Sequence, residues 1–134
     1  FNIARRRAVI DNAPHTVCSL DANLRCLKSW QNKIDIFKDV NGNRAIDPED
    51  RYIKTHTVDS RLKLTARLSA RRSYLRYDPD GSTHGTVGSI QLCSPNFNAD
   101  NQRAIIISST GRLRRSQDKN NDGLHEAGSK TICQ

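Results

Sequence analysis

Alternation of apolar and polar residues dominates the chain after its first dozen positions. Residues 3–12 differ, because alanines and isoleucines recur there at helical spacing, and Asn12 with Pro14 ends the segment. Period-two alternation predicts strands at 15–20, 33–39, 51–58, 61–69, 73–78, 86–93 and 103–115. The pattern therefore predicts an α+β fold, in which one N-terminal helix is followed by antiparallel β structure.

Turn signals divide these strands without dividing the chain. Pro79-Asp80-Gly81 predicts a hairpin that starts after strand 73–78. There is no repeat and no low-complexity tract, so we expect one domain over 1–134. It would comprise the end of a helix at 1–13, a β-rich body at 14–115 and a polar tail at 116–134, whose one apolar anchor is Thr131–Cys133.

Charge is the strongest feature of the composition. The 134 residues carry a net charge of +8, and only 35% of them are apolar, so the core must be small. A net positive charge of this size favours nucleic acid, anionic lipid or acidic protein as a partner. The alternative is that the basic surface only keeps a small protein soluble. No apolar run reaches the length of a membrane span.

Four cysteines, at 18, 26, 93 and 133, allow three pairings. The spacing favours Cys18–Cys26, which closes a tight local loop, and leaves Cys93–Cys133 to fasten the tail. Four reduced, buried thiols are the alternative. Disulfides would indicate an exported protein, so we expect the natural protein to have an N-terminal segment ahead of Phe1.

A cationic edge follows the apolar run 103–107. On an extended chain Arg112 and Arg114 share one face, while Leu113 points to the core. This arrangement suits a polyanion. The candidate DNA-binding residues are Arg103, Gly111, Arg112, Arg114, Arg115 and Lys119.

A second basic cluster comprises Arg67, Arg71, Arg72 and Arg76, and whether it contacts DNA is open. Arginine binds phosphate bidentately, and neither cluster has the aromatic pair that stacks single-stranded bases. We therefore expect phosphate contacts with little sequence preference. The arginine triplet at 5–7 cannot lie on one helix face, so most of it is predicted to be solvated.

Catalytic and cofactor motifs are absent from the sequence. The four histidines are scattered, and there is no GxSxG, GxGxxG or Walker pattern. The chain is therefore interpreted as a non-enzyme that needs no cofactor or metal.

One loop has part of the ligand pattern of a calcium-binding site. Residues 39–50 place oxygen-bearing side chains at EF-hand positions 1, 3, 5, 9 and 12. The sixth position is Arg44 rather than Gly, and the twelfth is Asp50 rather than Glu, so an Asx-rich turn explains the same residues better. Residues 118–129 match the same calcium-loop pattern less well.

Several segments, in order, resemble the GspH/FimT family of minor type IV pilins and pseudopilins. They are residues 4–18, the Cys18…Cys26…Trp30 spacing followed by 34–50, Tyr77–Gly81 leading to Ile90–Cys93, and Arg103–Ser108 leading to Gly111–Arg114. Lys33 departs from the family, where many members carry Gly, and the hydrophobic N-terminal pilin helix is missing.

This resemblance implies a helix packed on β-sheets, anchored in the inner membrane and facing the periplasm of a Gram-negative bacterium before it enters a pilus with other pilins. Gly111, Arg112 and Arg114 resemble the GRxR motif of FimT-type pilins, which bind duplex DNA during natural transformation. The alternatives are a structural minor pilin of the pilus tip or a type II secretion pseudopilin. The soluble domain is expected to be monomeric.

Overall fold

One helix packs against two antiparallel sheets in the computed structural model, which describes residues 1–94, 102–121, 125–127, 130–131 and 133. Helix α1 spans Asn2–Asp11. The strands are β1 (His15–Cys18), β2 (Lys33–Lys38), β3 (Arg51–Thr57), β4 (Lys63–Leu68), β5 (Leu75–Tyr77), β6 (Gly88–Cys93), β7 (Arg103–Ile107), β8 (Leu113–Arg115), β9 (Glu126–Ala127) and β10 (Lys130–Thr131). The predicted α+β class is confirmed.

The first sheet has the strand order β3-β2-β1-β5 and the second the order β4-β6-β7-β8, while β9 and β10 form a separate pair. The Pro79–Gly81 turn therefore does not join a hairpin: it carries the chain from β5 in the first sheet toward β6 in the second. The predicted hairpin is wrong at this point, because turn chemistry is local and the choice of strand partner is not.

Helix α1 packs through small residues. Ala4 and Ala8 are fully buried, whereas Ile10 is 66% exposed and Ile3 is 38% exposed. Alanines four positions apart share a face and let the helix backbone approach the sheet closely. Asn12 ends the helix in the left-handed conformation, at φ 49°. In the described part of the chain, no helix has the length and apolar character needed to cross a bilayer.

The core lies between the sheets. Val17, Phe37, Leu75 and Tyr77 are fully buried in the first sheet, and one face of the second packs against them through residues such as Ile107. The face of the second sheet that packs against the first sheet is called the inner face, and the opposite face is called the outer face. Burial raises the pKa of the Tyr77 hydroxyl to about 12.

A buried carboxylate ties the first disulfide loop to the first sheet. Asp35 accepts hydrogen bonds from the Leu20 N–H at 2.9 Å and from the hydroxyls of Thr55 at 2.7 Å and Tyr52 at 3.1 Å. Burial acts to raise the pKa of Asp35, but the hydrogen bonds from Thr55 and Leu20 and the charge of Lys33 hold it below its usual value.

Two disulfides join the cysteines in the pairing that the spacing favours, Cys18–Cys26 and Cys93–Cys133. The second fastens the tail to the outer face of the second sheet. There the Cys133 N–H donates to Oε1 of Gln91 at 3.0 Å, and Cys133 packs against Ala104.

Candidate nucleic-acid interface

The segment 103–115 is a hairpin rather than one strand. β7 ends at Ile107 and β8 begins at Leu113. Between them the Gly111 N–H donates to the Ser108 carbonyl at 3.0 Å, and Gly111 has φ +88°. This is the pattern of a three-residue hairpin loop that ends on a left-handed glycine. Arg112 therefore lies at the end of the turn, and only Arg114 and Arg115 lie on β8.

Gly111 acts through its backbone. It is buried, and a Cβ at this position would lie 2.0 Å from the Gly81 carbonyl oxygen. Only glycine allows such a close approach of two turns. Gly111 therefore fixes the position of the arginines that follow it, and it presents no side chain to a ligand.

Arg5 joins helix α1 to both turns. Its Nε donates to the Gly81 carbonyl at 3.0 Å, and its Nη2 donates to the Thr110 carbonyl at 3.4 Å. The prediction that the 5–7 triplet is mostly solvated is therefore wrong for Arg5, and Arg7 is also half-buried beside Asp11. Arg6 alone of the three is exposed.

Arg112 and Arg114 share the outer face of the second sheet. Register pairs Arg114 with Ile106, and the Ser108 N–H donates to the Arg112 carbonyl at 3.0 Å, which continues the ladder by one pair. Both arginines are exposed, while Leu113 between them is half-buried and packs against the core. The period-two pattern placed these three side chains correctly.

Arg103 and Arg115 lie on the inner face instead. Register pairs Arg115 with Ile105 and Arg103 with Leu92. Both arginines line a cavity of about 540 Å³ between the sheets, beside Lys54. The six candidate residues therefore do not form one cluster, because opposite faces of the sheet separate these two arginines from Arg112 and Arg114.

Lys119 is exposed and lies beyond the end of β8. Its N–H donates to Oε2 of the buried Glu126 at 2.7 Å, which holds this part of the tail next to β9. No described contact joins the Lys119 side chain to the arginines of the hairpin, so Arg112 and Arg114 are the core of the candidate interface.

The second basic cluster extends over two adjoining depressions, and Arg72 lines both of them, the second together with Arg76. Arg67, Arg71 and Arg72 line one groove along β4. Arg76 lies on β5 in the other sheet, where its Nε donates to Asp78 at 2.8 Å.

Two lysines, Lys28 and Lys63, complete the cationic lining of this groove, and neither was among the residues predicted from the sequence. Lys63 could have been found, because Lys63, Thr65 and Arg67 alternate on one face of a predicted strand.

The loop at 39–50 uses its carboxylates internally. Asp39 is fully buried and accepts hydrogen bonds from the N–H groups of Asn43 at 3.2 Å and Arg44 at 2.9 Å. Asp50 accepts from the Val40 and Asp47 N–H groups, both at 2.9 Å. These are the contacts of an Asx-rich turn. Across the described ranges, no group of three or more acidic, histidine or cysteine side chains is placed to hold a metal ion.

Comparison with known proteins agrees with this architecture. The sequence matches the model of the GspH family, described as type II transport protein GspH, over residues 1–111. No curated protein sequence matches the chain.

Solved structures share the fold. The type IV minor pilin FimU of Pseudomonas aeruginosa is 21% identical, with 97% of this chain and 86% of that chain covered at a TM-score of 0.58. A second crystal form of FimU gives a TM-score of 0.60 over 97% of this chain and 82% of that chain, again at 21% identity. The minor pseudopilin EpsH of Vibrio cholerae is 13% identical, with 85% of each chain covered at a TM-score of 0.56. With one helix on two antiparallel sheets and a family match over most of its length, the chain belongs to the GspH family and has the fold of a minor pilin.

Proposed function

We propose that this chain is a minor pilin that binds duplex DNA, without sequence preference, during DNA uptake for natural transformation. The observation that carries the proposal is the exposure of Arg112 and Arg114 on one face of a hairpin that Arg5 fixes to helix α1. The fixed hairpin sets the position from which both side chains extend, and the planar guanidinium group matches phosphate bidentately. The net charge of +8 adds long-range attraction for a polyanion.

The proposal includes the setting of a pilin. The chain would be anchored in the inner membrane of a Gram-negative bacterium by a hydrophobic N-terminal helix, face the periplasm, and join other pilins in a surface pilus. It would act without a cofactor and without catalysing a reaction. The hydrophobic side chains Ile3, Val9 and Ile10 on α1 are exposed and support packing of this helix against other subunits.

That same exposed face favours a second function, a structural minor pilin of the tip complex or a type II secretion pseudopilin that does not bind DNA. The family description supports the secretion alternative. DNA binding by the purified chain separates the two functions.

The experiment measures binding of a labelled duplex at low and high salt, for the unmodified chain and for Arg112→Gln/Arg114→Gln. Affinity should fall steeply with salt, and the variant should lose about two units of log-log salt slope, since two phosphate contacts disappear. The matched control is Arg6→Gln/Arg51→Gln, which removes the same charge at two exposed arginines elsewhere.

An equal loss in the control variant would show diffuse attraction rather than a site. Binding that is absent at low salt, or unchanged at high salt, would favour the structural pilin. A 112/114 variant that binds DNA normally but no longer enters pili would show that the hairpin is an assembly surface.

A further inference from the structure

Strand β4 is an edge of the second sheet whose far side opens onto a groove. In the part of the chain that the structure describes, β4 pairs with β6 alone. The groove has a volume of about 480 Å³ and is lined by all six residues of β4, by Lys28–Trp30 and by Arg71–Ser73. It therefore follows the length of the strand rather than ending at one point.

The backbone of β4 presents hydrogen-bonding groups to this groove. The Leu64 N–H donates to Oδ1 of Asn32 at 3.3 Å, away from β6, and Nδ2 of Asn32 donates to the Leu62 carbonyl at 2.6 Å. Asn32 thus takes the place of a strand partner at the start of the edge. Because alternate residues of an antiparallel strand bond to opposite sides, the N–H and C=O groups of Ala66 and Leu68 also face away from β6.

The walls of the groove carry charge of one sign. Five cationic side chains line it, from Lys28, Lys63, Arg67, Arg71 and Arg72, and none of the described lining residues is acidic. One of them is held by an unusual backbone: Arg71 and its neighbour Ala70 both have positive φ, at 53° and 55°. Residues with a Cβ rarely adopt this conformation, and where they do it is often at functional positions.

We propose that the β4 edge groove binds an extended acidic segment of a partner protein, which adds to the second sheet as a further strand. Strand addition to an exposed edge draws affinity from main-chain hydrogen bonds and specificity from alternate side chains. The segment would be about four to six residues long, the length of a typical strand, and its main chain would pair with Ala66 and Leu68, because Asn32 already binds Leu64.

The two faces of β4 specify the pattern of the segment. Its inner-face residues are Leu64, Ala66 and Leu68, and its outer-face residues are Lys63, Thr65 and Arg67. Directly opposed side chains on neighbouring strands lie within contact distance. An added strand therefore places one set of alternate residues against leucines and the other set against cations. The matching sequence alternates apolar and acidic residues.

Charge on an edge strand also has a protective role, since it opposes pairing with unwanted strands. A groove lined by cations and by no described acidic residue repels basic strands and attracts acidic ones. The same residues therefore oppose pairing of the β4 edge with unwanted strands and select an acidic partner.

The test measures fluorescence anisotropy of a labelled peptide, acetyl-Glu-Val-Glu-Val-Glu-Val-amide, with the 134-residue chain. Its comparator, Glu-Glu-Glu-Val-Val-Val, has the same composition and charge without the alternation. The alternating peptide should bind at least about tenfold more tightly than the comparator, and Lys63→Glu/Arg67→Glu should weaken its binding by a similar factor. The matched control is Arg51→Glu/Lys54→Glu, which makes the same charge change on β3, the edge of the first sheet.

A second variant, Ala66→Pro, removes an N–H that faces the groove and leaves the bonds to β6 in place. This variant should keep the melting temperature of the unmodified chain. It should weaken binding of the alternating peptide and leave DNA binding intact. Equal binding of both peptides, together with no effect of Ala66→Pro, would overturn strand addition. Loss of duplex or single-stranded DNA binding in Lys63→Glu/Arg67→Glu, without binding of either peptide, would make the groove a nucleic-acid site and also overturn the proposal.

Discussion

Arg67 and Arg114 lie in one row across the second sheet, on the same outer face. The row runs from Arg67 in β4 through Ser89 and Ile106 to Arg114 in β8. Three inter-strand steps of about 4.8 Å separate the backbones of the two arginines by about 14 Å. The proposed DNA interface and the β4 edge groove are therefore at opposite edges of one surface.

The neighbours Arg114 and Arg115 provide the sharpest test of the DNA interface, because they have the same side chain and lie on opposite faces of β8. Arg114→Gln should weaken duplex binding several-fold and reduce the log-log salt slope by about one unit. Arg115→Gln should leave affinity within about twofold, since Arg115 lies on the inner face and lines the cavity between the sheets. Titrations of both variants at several salt concentrations measure the difference. Equal effects would contradict the assignment of faces.

Gly111→Ala should destabilise the fold by about 2 kcal/mol or more, because its Cβ would collide with the Gly81 carbonyl and its φ is positive. Denaturant unfolding measures the loss. Gly85→Ala is the matched control: Gly85 has φ +81°, but no atom lies within 4 Å of the point that a Cβ would occupy there. Its cost should be smaller, about 1 kcal/mol. Equal costs would show that backbone conformation alone, without the contact to Gly81, makes glycine necessary.

The contribution of Arg5 to stability can be measured against that of Arg6, its neighbour on the same helix. Arg5→Gln should lower the melting temperature, since it removes the hydrogen bonds to Gly81 and Thr110. Arg6→Gln should leave it nearly unchanged, because Arg6 is exposed on the same helix. Thermal unfolding of the two variants side by side measures this, and a loss of the same size in both would contradict the bracing role of Arg5.

Removal of the Cys93–Cys133 disulfide, as Cys93→Ser/Cys133→Ser, should cost about 2–4 kcal/mol of unfolding free energy. The bridge closes a loop with a sequence separation of 40, whereas Cys18–Cys26 spans 8. Loss of the shorter bridge should cost less, since it restricts the unfolded chain less. Intact mass with and without reductant, followed by denaturant unfolding, measures both; four free thiols in the unreduced protein would contradict the pairing.

Stability should fall between pH 7 and pH 5 through His15. Burial lowers the pKa of His15 below its ordinary value of about 6.5. Below that value the unfolded chain binds a proton that the folded chain does not, so unfolding becomes easier as the pH falls. His15→Gln should show a shallower decrease in melting temperature over this range. His56→Gln, at an exposed position, should keep the original slope, and an unchanged slope in His15→Gln would contradict the role of burial.

Calcium should raise the melting temperature by less than about 2 °C at millimolar concentration. The carboxylates of Asp39 and Asp50 already accept hydrogen bonds from the backbone of their own loop. Magnesium is the control cation. A large increase with calcium that a chelator reverses would show that the loop rearranges into a site.

Local features of the sequence were predictable, and pairings between distant segments were not. Helix α1 and the alternation around Leu113 follow from periodicity within a few residues. The alternation of strand residues also predicts that Arg103 and Arg115 lie on the opposite face of the sheet from Arg114. Arginines grouped by their closeness in the sequence do not show this separation. The need for Gly111 could not be predicted, because it depends on the Gly81 carbonyl, thirty positions away in the chain and adjacent only after folding.

The Arg5 contact also has a mechanical consequence. The hydrogen bonds of Arg5 couple the tip of the β7–β8 hairpin to helix α1. A tensile force on a ligand held by Arg112 or Arg114 is therefore shared between the strand ladder and the helix, instead of peeling β8 from its end. The guanidinium of Arg5 therefore acts as a tie between the proposed DNA interface and helix α1.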